Sequence, residues 1–415
     1  MLDMKFVLEN RDLVEQSIKD REKDIDLAQL IGTYEELNKI KKEIESLRQQ
    51  RNSSSQKVNE LKKKGEDASE IITKMKEVTS ELKEKEQLFE DREAQFKTLR
   101  DKLPNILDER VPRGNEDREE FRGGVIPKFD FKPKTNWELL VDLGLADFKR
   151  GIKAAGDRGW VLTGYGARLN RGITNFLLDF WRQKGYYEIL PPFFVNEENL
   201  YITGHYPGGE KEVYRTEDGK VFVGTAEISI MAIYANETFS KKEFPLKIVA
   251  HTPCFRREAG TRKEEKGLYR THQFDKVELI HISAKETIMD EYENLFNDMK
   301  ELYETLELPY RMITLRANDM AGKASIERDM EVWLAGEERW GEVGSIGMTT
   351  DYQTRRGHIK CEGDGQIEHA HSFYSTGGVA NRILIAILNN NQRKDGSVTV
   401  PKVLQGYVGG LEVLK

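Results

Sequence analysis

The residue types best suited to hold a charged ligand crowd together between positions 249 and 280. There the sequence runs VAHTPCFRREAG, TRKEEKG and LYRTHQFDKVELI. The outer pieces are expected as strands and the middle one as a mobile charged loop. Because strand side chains alternate between faces, Arg256 and Glu258 are expected to share one face. Arg270, His272, Phe274, Lys276 and Glu278 are expected to share another in the same way. One sheet surface would then carry two guanidinium groups, an aromatic ring and carboxylates. A solvated face accounts for the charges but not for a phenylalanine lying among them. An anionic aromatic ligand accounts for both: arginines on phosphates, Phe274 stacked on a base, glutamates on amino groups. His272 is read as a structural histidine.

Three other stretches add chemistry. VFVGTAEIS (221–229) is expected as a strand entering a turn that presents Thr225 and Glu227. GEVGSIGMTTDYQTRR (341–356) offers Glu342 and Ser345, a carboxylate and a hydroxyl that suit Mg²⁺. HSFYSTGGVANR (371–382) joins two glycines, small polar residues and Arg382 to the apolar helix ILIAILNNNQ, and so raises the question of a phosphate-binding turn. Cys361, His369 and His371 leave a zinc site as an alternative, short of a fourth ligand. No GxxxxGK[ST] occurs, and GYGARL (164–169) lacks the third glycine of GxGxxG, so neither a P-loop nor a Rossmann site is supported.

These residues need elements to position them. ARLNRGITNFLLDFWRQKG (167–185) places Leu169, Ile173, Phe176, Leu177, Phe180 and Trp181 on one helical stripe, ended by Gly185. YYEILPPFFV follows as a strand that ends at two prolines, which limit ladder pairing and suit an edge or an interface. Upstream, Thr33 to Leu103 contains no proline and a single glycine, Gly65. Leu37, Ile40, Ile44, Leu47, Arg51, Ser54, Val58 and Leu61 follow a 3,4 spacing. So do Met75, Val78, Leu82, Lys85, Phe89, Arg92, Phe96, Leu99 and Leu103. KKKGEDAS turns between the two runs, with Gly65 as helix stop and Asp67 or Ser69 as N-cap. An antiparallel two-helix coiled coil follows, each arm ~45 Å long. It is either a dimerisation or spacer coil, or a projecting arm whose Arg48, Arg51, Lys57, Lys62 and Lys63 meet phosphates. Pro104, Pro112 and RGNEDREEFRGG (113–124) are read as a linker into one large α+β domain.

The net charge of −7 requires any nucleic acid to be met by a local basic patch rather than by the overall field. Two cysteines, and no apolar run of leader or membrane-spanning character, point to a cytoplasmic chain without a membrane partner.

With these residues in view, the chain resembles the seryl-tRNA synthetases, a family of class II aminoacyl-tRNA synthetases. FRREAG…GLYRTHQFDKVEL is similar to that family's motif 2, GYYEILPPFFV to motif 1, GTAE to its TxE loop and residues 371–382 to motif 3. The N-terminal stretch, the helical hairpin (about 30–103) and DGSVTVPKVLQGYVGG complete a resemblance that covers essentially the whole chain. It implies a tRNA-binding domain over 1–110, and over 111–415 a class II synthetase-like catalytic domain built on an antiparallel sheet. It implies ATP-dependent activation of serine and transfer to tRNA(Ser) by a homodimer, with the arm gripping the tRNA and Mg²⁺ assisting. Arg256 is then expected on the α-phosphate and the substrate carboxylate, Glu258 on the adenine amino group, Phe274 against adenine, and Arg270 and Arg382 on the terminal phosphates. Glu342 and Ser345 are expected on Mg²⁺; Thr225, Glu227, Glu278, Tyr374 and Thr376, with Arg256, on serine. Arg256 and Arg382 are the expected catalytic residues.

The chain departs from the family pattern at Arg257, usually serine, and at SIGM (345–348). It departs again where the family reads roughly TLNGSGLAVGR: Tyr374 replaces an asparagine, and Ser375 and Asn381 replace glycines. A paralogue of altered amino-acid specificity and a non-catalytic RNA-binding homologue are the alternatives. Retention of Arg256, Arg270 and Arg382 speaks against the second.

Overall fold

The computed structural model describes residues 1–259, 267–363 and 365–415. The expected loop TRKEEKG lies, except for Gly267, outside them. The chain divides into two compact units, Leu2–Pro104 and Asn105–Lys415. No helix among the described residues is long and apolar enough to cross a membrane.

The N-terminal unit is built on two long antiparallel helices, α1 (Leu27–Lys64) and α2 (Ser69–Arg100). Ile40, Ile44, Leu47 and Leu82 are buried between them, flanked by Val78 and Phe89, all of them seam positions. Ion pairs cross the seam: Arg48 to Glu86 at 2.7 Å, Lys85 to Glu43 at 2.6 Å and Arg92 to Glu36 at 3.3 Å. Gly65 ends α1 in the left-handed region, φ 73°, as a residue without Cβ readily does. The N-cap position of α2 falls on Ala68 rather than on Asp67 or Ser69. Asp67, one residue earlier, still accepts from the Ser69 amide at 2.9 Å.

The C-terminal unit is organised by an eight-stranded sheet. Its strands are β1 (Arg118–Gly123), β2 (Tyr187–Ile189), β3 (Leu246–Phe255), β4 (Gln273–Ser283), β5 (Tyr310–Thr314), β6 (Ile326–Leu334), β7 (Arg339–Thr350) and β8 (His371–Val379). They lie in the order β1-β5-β6-β7-β8-β4-β3-β2, and every pairing is antiparallel except β2 with β3. β1 corrects the reading of 113–124 as a linker: its REEFRG forms an edge strand whose charges face water. YYEILPPFFV gives the edge strand β2, which stops before the two prolines as expected, and a separate short strand, Phe194–Asn196, follows them.

Helices α3 (Gly164–Gln183), α5 (Ile288–Thr305) and α6 (Ala380–Asn390) cover the sheet, with α4 (Ala226–Ile233) on a smaller core. All six apolar-stripe residues of α3 are buried. Gly377 and Gly378 belong to β8, not to a turn. A Cβ on Gly377 would stand 2.7 Å from the Trp181 Nε1, and one on Gly378 would stand 2.6 Å from Leu177 Cδ1. The indole N–H donates to the Gly377 carbonyl at 2.8 Å. The glycine pair therefore lets α3 press against the sheet. Cys361 sits in a separate three-stranded sheet. Among the described residues no cluster of His, Cys, Asp and Glu is placed to hold a metal, so the zinc alternative finds no support.

Candidate active site

A cavity of about 510 Å³ opens on the sheet, and it gathers every residue expected at the ligand site: Thr225, Glu227, Arg256, Glu258, Arg270, Phe274, Glu278, Glu342, Ser345, Tyr374, Thr376 and Arg382. A second cavity of about 820 Å³, walled by Trp160, Leu178, Phe255 and His272, contains none of them.

The route by which these residues converge differs from the expected one. β3 ends at Phe255, so Arg256 and Glu258 lie beyond it, and strand alternation does not set their direction. Arg270 and His272 precede β4 in the same way. Glu258 itself adopts a left-handed φ of 50°. The Arg256 N–H donates to the His272 carbonyl at 3.0 Å, and His272 Nδ1 lies 3.0 Å from the Arg256 carbonyl, a backbone clasp that gives the histidine a structural place. Phe274, Lys276 and Glu278 do share a face of β4.

Glu342 and Ser345 are three residues apart on β7, which in a regular strand puts them on opposite faces. A bulge between Glu342 and Gly344 removes one step of alternation, and both reach the cavity.

At the cationic end the Arg256 guanidinium lies 5.3 Å from the Phe274 ring centroid, and its Nε donates to the Gly224 carbonyl at 3.2 Å. Arg270 donates to Glu258 at 3.1 Å. Arg382, from the first turn of α6, pairs with Glu342 at 2.8 Å and holds that carboxyl below the usual range. This end presents three guanidinium groups and one aromatic face, a set matched to phosphates attached to a base.

The other end is buried and charged. Thr225 caps α4, its Oγ1 accepting from the Glu227 N–H at 3.2 Å and from Lys276 at 2.9 Å, and donating to Glu278 at 3.0 Å. Burial pushes the Glu278 carboxyl up, with Glu227 adding to the shift against the pull of Lys276. Glu227 is also buried, which opposes its charge, yet the Lys323 ammonium holds its carboxyl below the ordinary value. Burial and the Lys323 charge push His205, on the same wall, down to about 3.

Lys323, Glu327 and His205 do not stand out in the sequence. Each lies in a polar stretch without periodicity or motif, where a charged residue reads as solvated. The one available signal is a lysine and a glutamate four apart in a segment leading into a buried strand.

The profile of the seryl-tRNA synthetase N-terminal domain matches residues 1–107, and that of the class II tRNA synthetase core domain (G, H, P, S and T) matches residues 212–391. The chain is 38% identical over 424 residues to a serine–tRNA ligase of Pseudothermotoga lettingae, covering 99% of each. It is 40% identical over 420 residues to one of Fusobacterium nucleatum, covering 100% of each. The crystal structure of seryl-tRNA synthetase from Pyrococcus horikoshii complexed with ATP superposes with a TM-score of 0.92 at 30% identity, covering 100% of this chain and 99% of that one. The match spans both units, and the chain belongs to the seryl-tRNA synthetase family of class II aminoacyl-tRNA synthetases.

Proposed function

We propose that the cavity activates serine with ATP and passes the seryl group to tRNA(Ser). The observation that carries this reading is the meeting of three guanidinium groups and Phe274 with the buried Thr225–Glu227–Glu278 cluster in one cavity.

The chemistry needs no strong base. The serine carboxylate is ionised at neutral pH, so one of its oxygens attacks the α-phosphorus directly and the bond to pyrophosphate breaks. Catalysis is then positioning together with neutralisation of charge on the phosphoryl oxygens. Arg256 serves both the α-phosphate and the substrate carboxylate. Arg270 and Arg382 take the terminal phosphates, Phe274 stacks on adenine and Glu258 accepts from its amino group. Thr225, Glu227, Glu278, Tyr374 and Thr376 wall the amino-acid end. In the second step the terminal ribose hydroxyl of tRNA attacks the seryl carbonyl carbon and AMP leaves.

Glu342, kept ionised by Arg382 and with one oxygen outside that pair, forms with Ser345 an oxygen donor set that fits Mg²⁺. When bound there, the ion would neutralise phosphate charge.

Arg51, Lys57, Lys62 and Lys63 are exposed along the helical arm and suit tRNA phosphates, while Arg48 is already paired with Glu86. Exposed Tyr187, Leu190 and Phe194 suit the homodimer contact, and the two buried cysteines suit the cytoplasm. The test is ATP–pyrophosphate exchange with a panel of amino acids, followed by tRNA charging. Serine-dependent exchange and seryl-tRNA are expected; exchange with another amino acid but not with serine refutes the reading.

A further inference from the structure

At the amino-acid end one lysine and two buried carboxylates line the same cavity. Lys323 is 9% exposed, Glu227 3% and Glu327 7%, and all three line the cavity. The lysine is committed to one of the two acids. Its ammonium donates to both oxygens of Glu227, at 2.5 and 2.7 Å. Glu327 is held by other donors: the Tyr374 hydroxyl on Oε1 and the Ala321 N–H on Oε2, the latter at 2.7 Å. Each oxygen of Glu327 thus has a neutral donor, which lowers its demand for a cation. Glu227, by contrast, draws on the lysine together with the Gln353 amide, which donates to its Oε1 at 2.5 Å.

Tyr374 makes this division possible by position as well as by hydrogen bonding. Its ring lies beneath Lys323, with the ammonium 4.2 Å from the centroid, a cation–π contact that steadies the lysine in a desolvated site. The ring can lie there because its cross-strand partner is Gly347, where a Cβ would come within 2.3 Å of Tyr374 Cζ.

The consequence falls on Glu278. Its Oε2 takes the Thr225 hydroxyl and pairs with Lys276, while its Oε1 is buried with no hydrogen-bond partner among the described residues. A buried carboxylate oxygen without a donor is costly, and a bound ligand can relieve that cost. With Glu227 already occupied by Lys323, Glu278 is the acid open to an incoming donor.

We propose that Tyr374 is a positioning residue for amino-acid binding: by occupying Glu327 it assigns Lys323 to Glu227, leaving Glu278 to receive the substrate's donor group. Tyr374, part of the wall at the amino-acid end, then acts on binding through Lys323. The inference rests on the reading of this cavity as an amino-acid activation site.

The experiment is steady-state ATP–pyrophosphate exchange with serine. In Tyr374→Phe, Glu327 Oε1 loses the tyrosine hydroxyl and competes more strongly for Lys323. Serine KM is expected to rise about tenfold, while kcat and the KM for ATP stay within about twofold, the latter reporting an intact fold. Lys323→Met should raise serine KM at least as much. The decisive variant is Tyr374→Phe with Glu327→Gln, which removes the competing charge. Serine KM is expected to return to within about twofold of wild type, a rescue that a merely structural tyrosine does not predict. An unchanged serine KM in Tyr374→Phe overturns the inference, and so does a double variant no better than the single one. Wild-type protein without serine-dependent exchange removes the underlying reading and this inference together. Wild-type exchange without rescue removes the inference alone.

Discussion

Gly347 and Tyr374 are opposed across β7 and β8, and the tyrosine ring fills the volume that a side chain at 347 would need. The two departures from the family pattern, SIGM and Tyr374, are therefore one structural change. Gly347→Ala should displace the ring and cost about 1–3 kcal/mol, as overpacking does in well-filled interiors. Tyr374→Asn vacates the space, so the double variant should lose less than the sum of the two single losses. Urea unfolding midpoints check this; strict additivity would show that the two positions are independent.

Arg256→Ala should lower serine-dependent exchange by about 10²–10³-fold or more, the scale on which a preorganised charge partner acts. Arg256→Lys should restore little. An ammonium cannot reproduce a planar group that donates from Nε to the Gly224 carbonyl while facing the Phe274 ring. Exchange near the wild-type rate in Arg256→Ala would remove this residue from the mechanism.

Acid should weaken the fold partly through His205. In the folded chain it stays neutral down to about 3, whereas an unfolded histidine takes up its proton near about 6.5. Between those values the unfolded state binds more protons, so stability rises with pH through this window and is lost as pH falls below about 6.5. Glu227 has the same sign at lower pH: its folded carboxyl is depressed, so its contribution is present above the ordinary carboxylate range and is lost on acidification. His205→Gln should flatten the decline between about pH 6.5 and 5, measured by denaturant midpoints at each pH. An identical profile in the variant would place the acid sensitivity elsewhere.

The helical arm should matter for tRNA and not for adenylate formation. Replacing Arg51, Lys57, Lys62 and Lys63 with alanine should leave pyrophosphate exchange unchanged and raise the KM for tRNA. The salt dependence of tRNA binding should become shallower by about 0.9 in log–log slope for each phosphate that is no longer neutralised. Arg48→Ala is expected to act differently, because it also breaks the Glu86 pair across the hairpin. Unaltered tRNA affinity in the four-residue variant would return the arm to a spacer role.

Much of this architecture is legible because long periodic segments bury what their spacing says they bury. Ile40, Ile44, Leu47 and Leu82 in the arm, and Leu169 to Trp181 on α3, follow directly from it. The convergence of the cavity residues is legible through the resemblance, but its geometry is not. Strand alternation does not place Arg256 and Glu258, because both follow the strand: Arg256 is held by its backbone pairing with His272, and Glu258 adopts a left-handed φ. Glu342 and Ser345 need a bulge that no residue type announces, since bulges are settled by cross-strand packing. Gly377 and Gly378 look like a turn because glycine carries the same letters whether it frees a backbone or admits a neighbouring helix. Lys323 and Glu327 leave only a faint signal, their four-residue spacing, because their partners Tyr374 and Glu227 lie some fifty residues away and farther still in the other direction.

The outermost strand of the sheet has a further consequence for life at high concentration. β1 presents Arg118, Glu119, Glu120 and Arg122 along the free edge, with Arg122 bound to Glu119 at 2.6 Å and Arg118 to Glu120 at 2.8 Å. A second chain trying to add its own strand there would have to desolvate these pairs while finding little apolar surface to cover. At the opposite edge β2 is only three residues long and is followed by two prolines, which cannot donate to a ladder. The stretch that reads as a linker thus forms a charged edge that disfavours strand addition by a second chain.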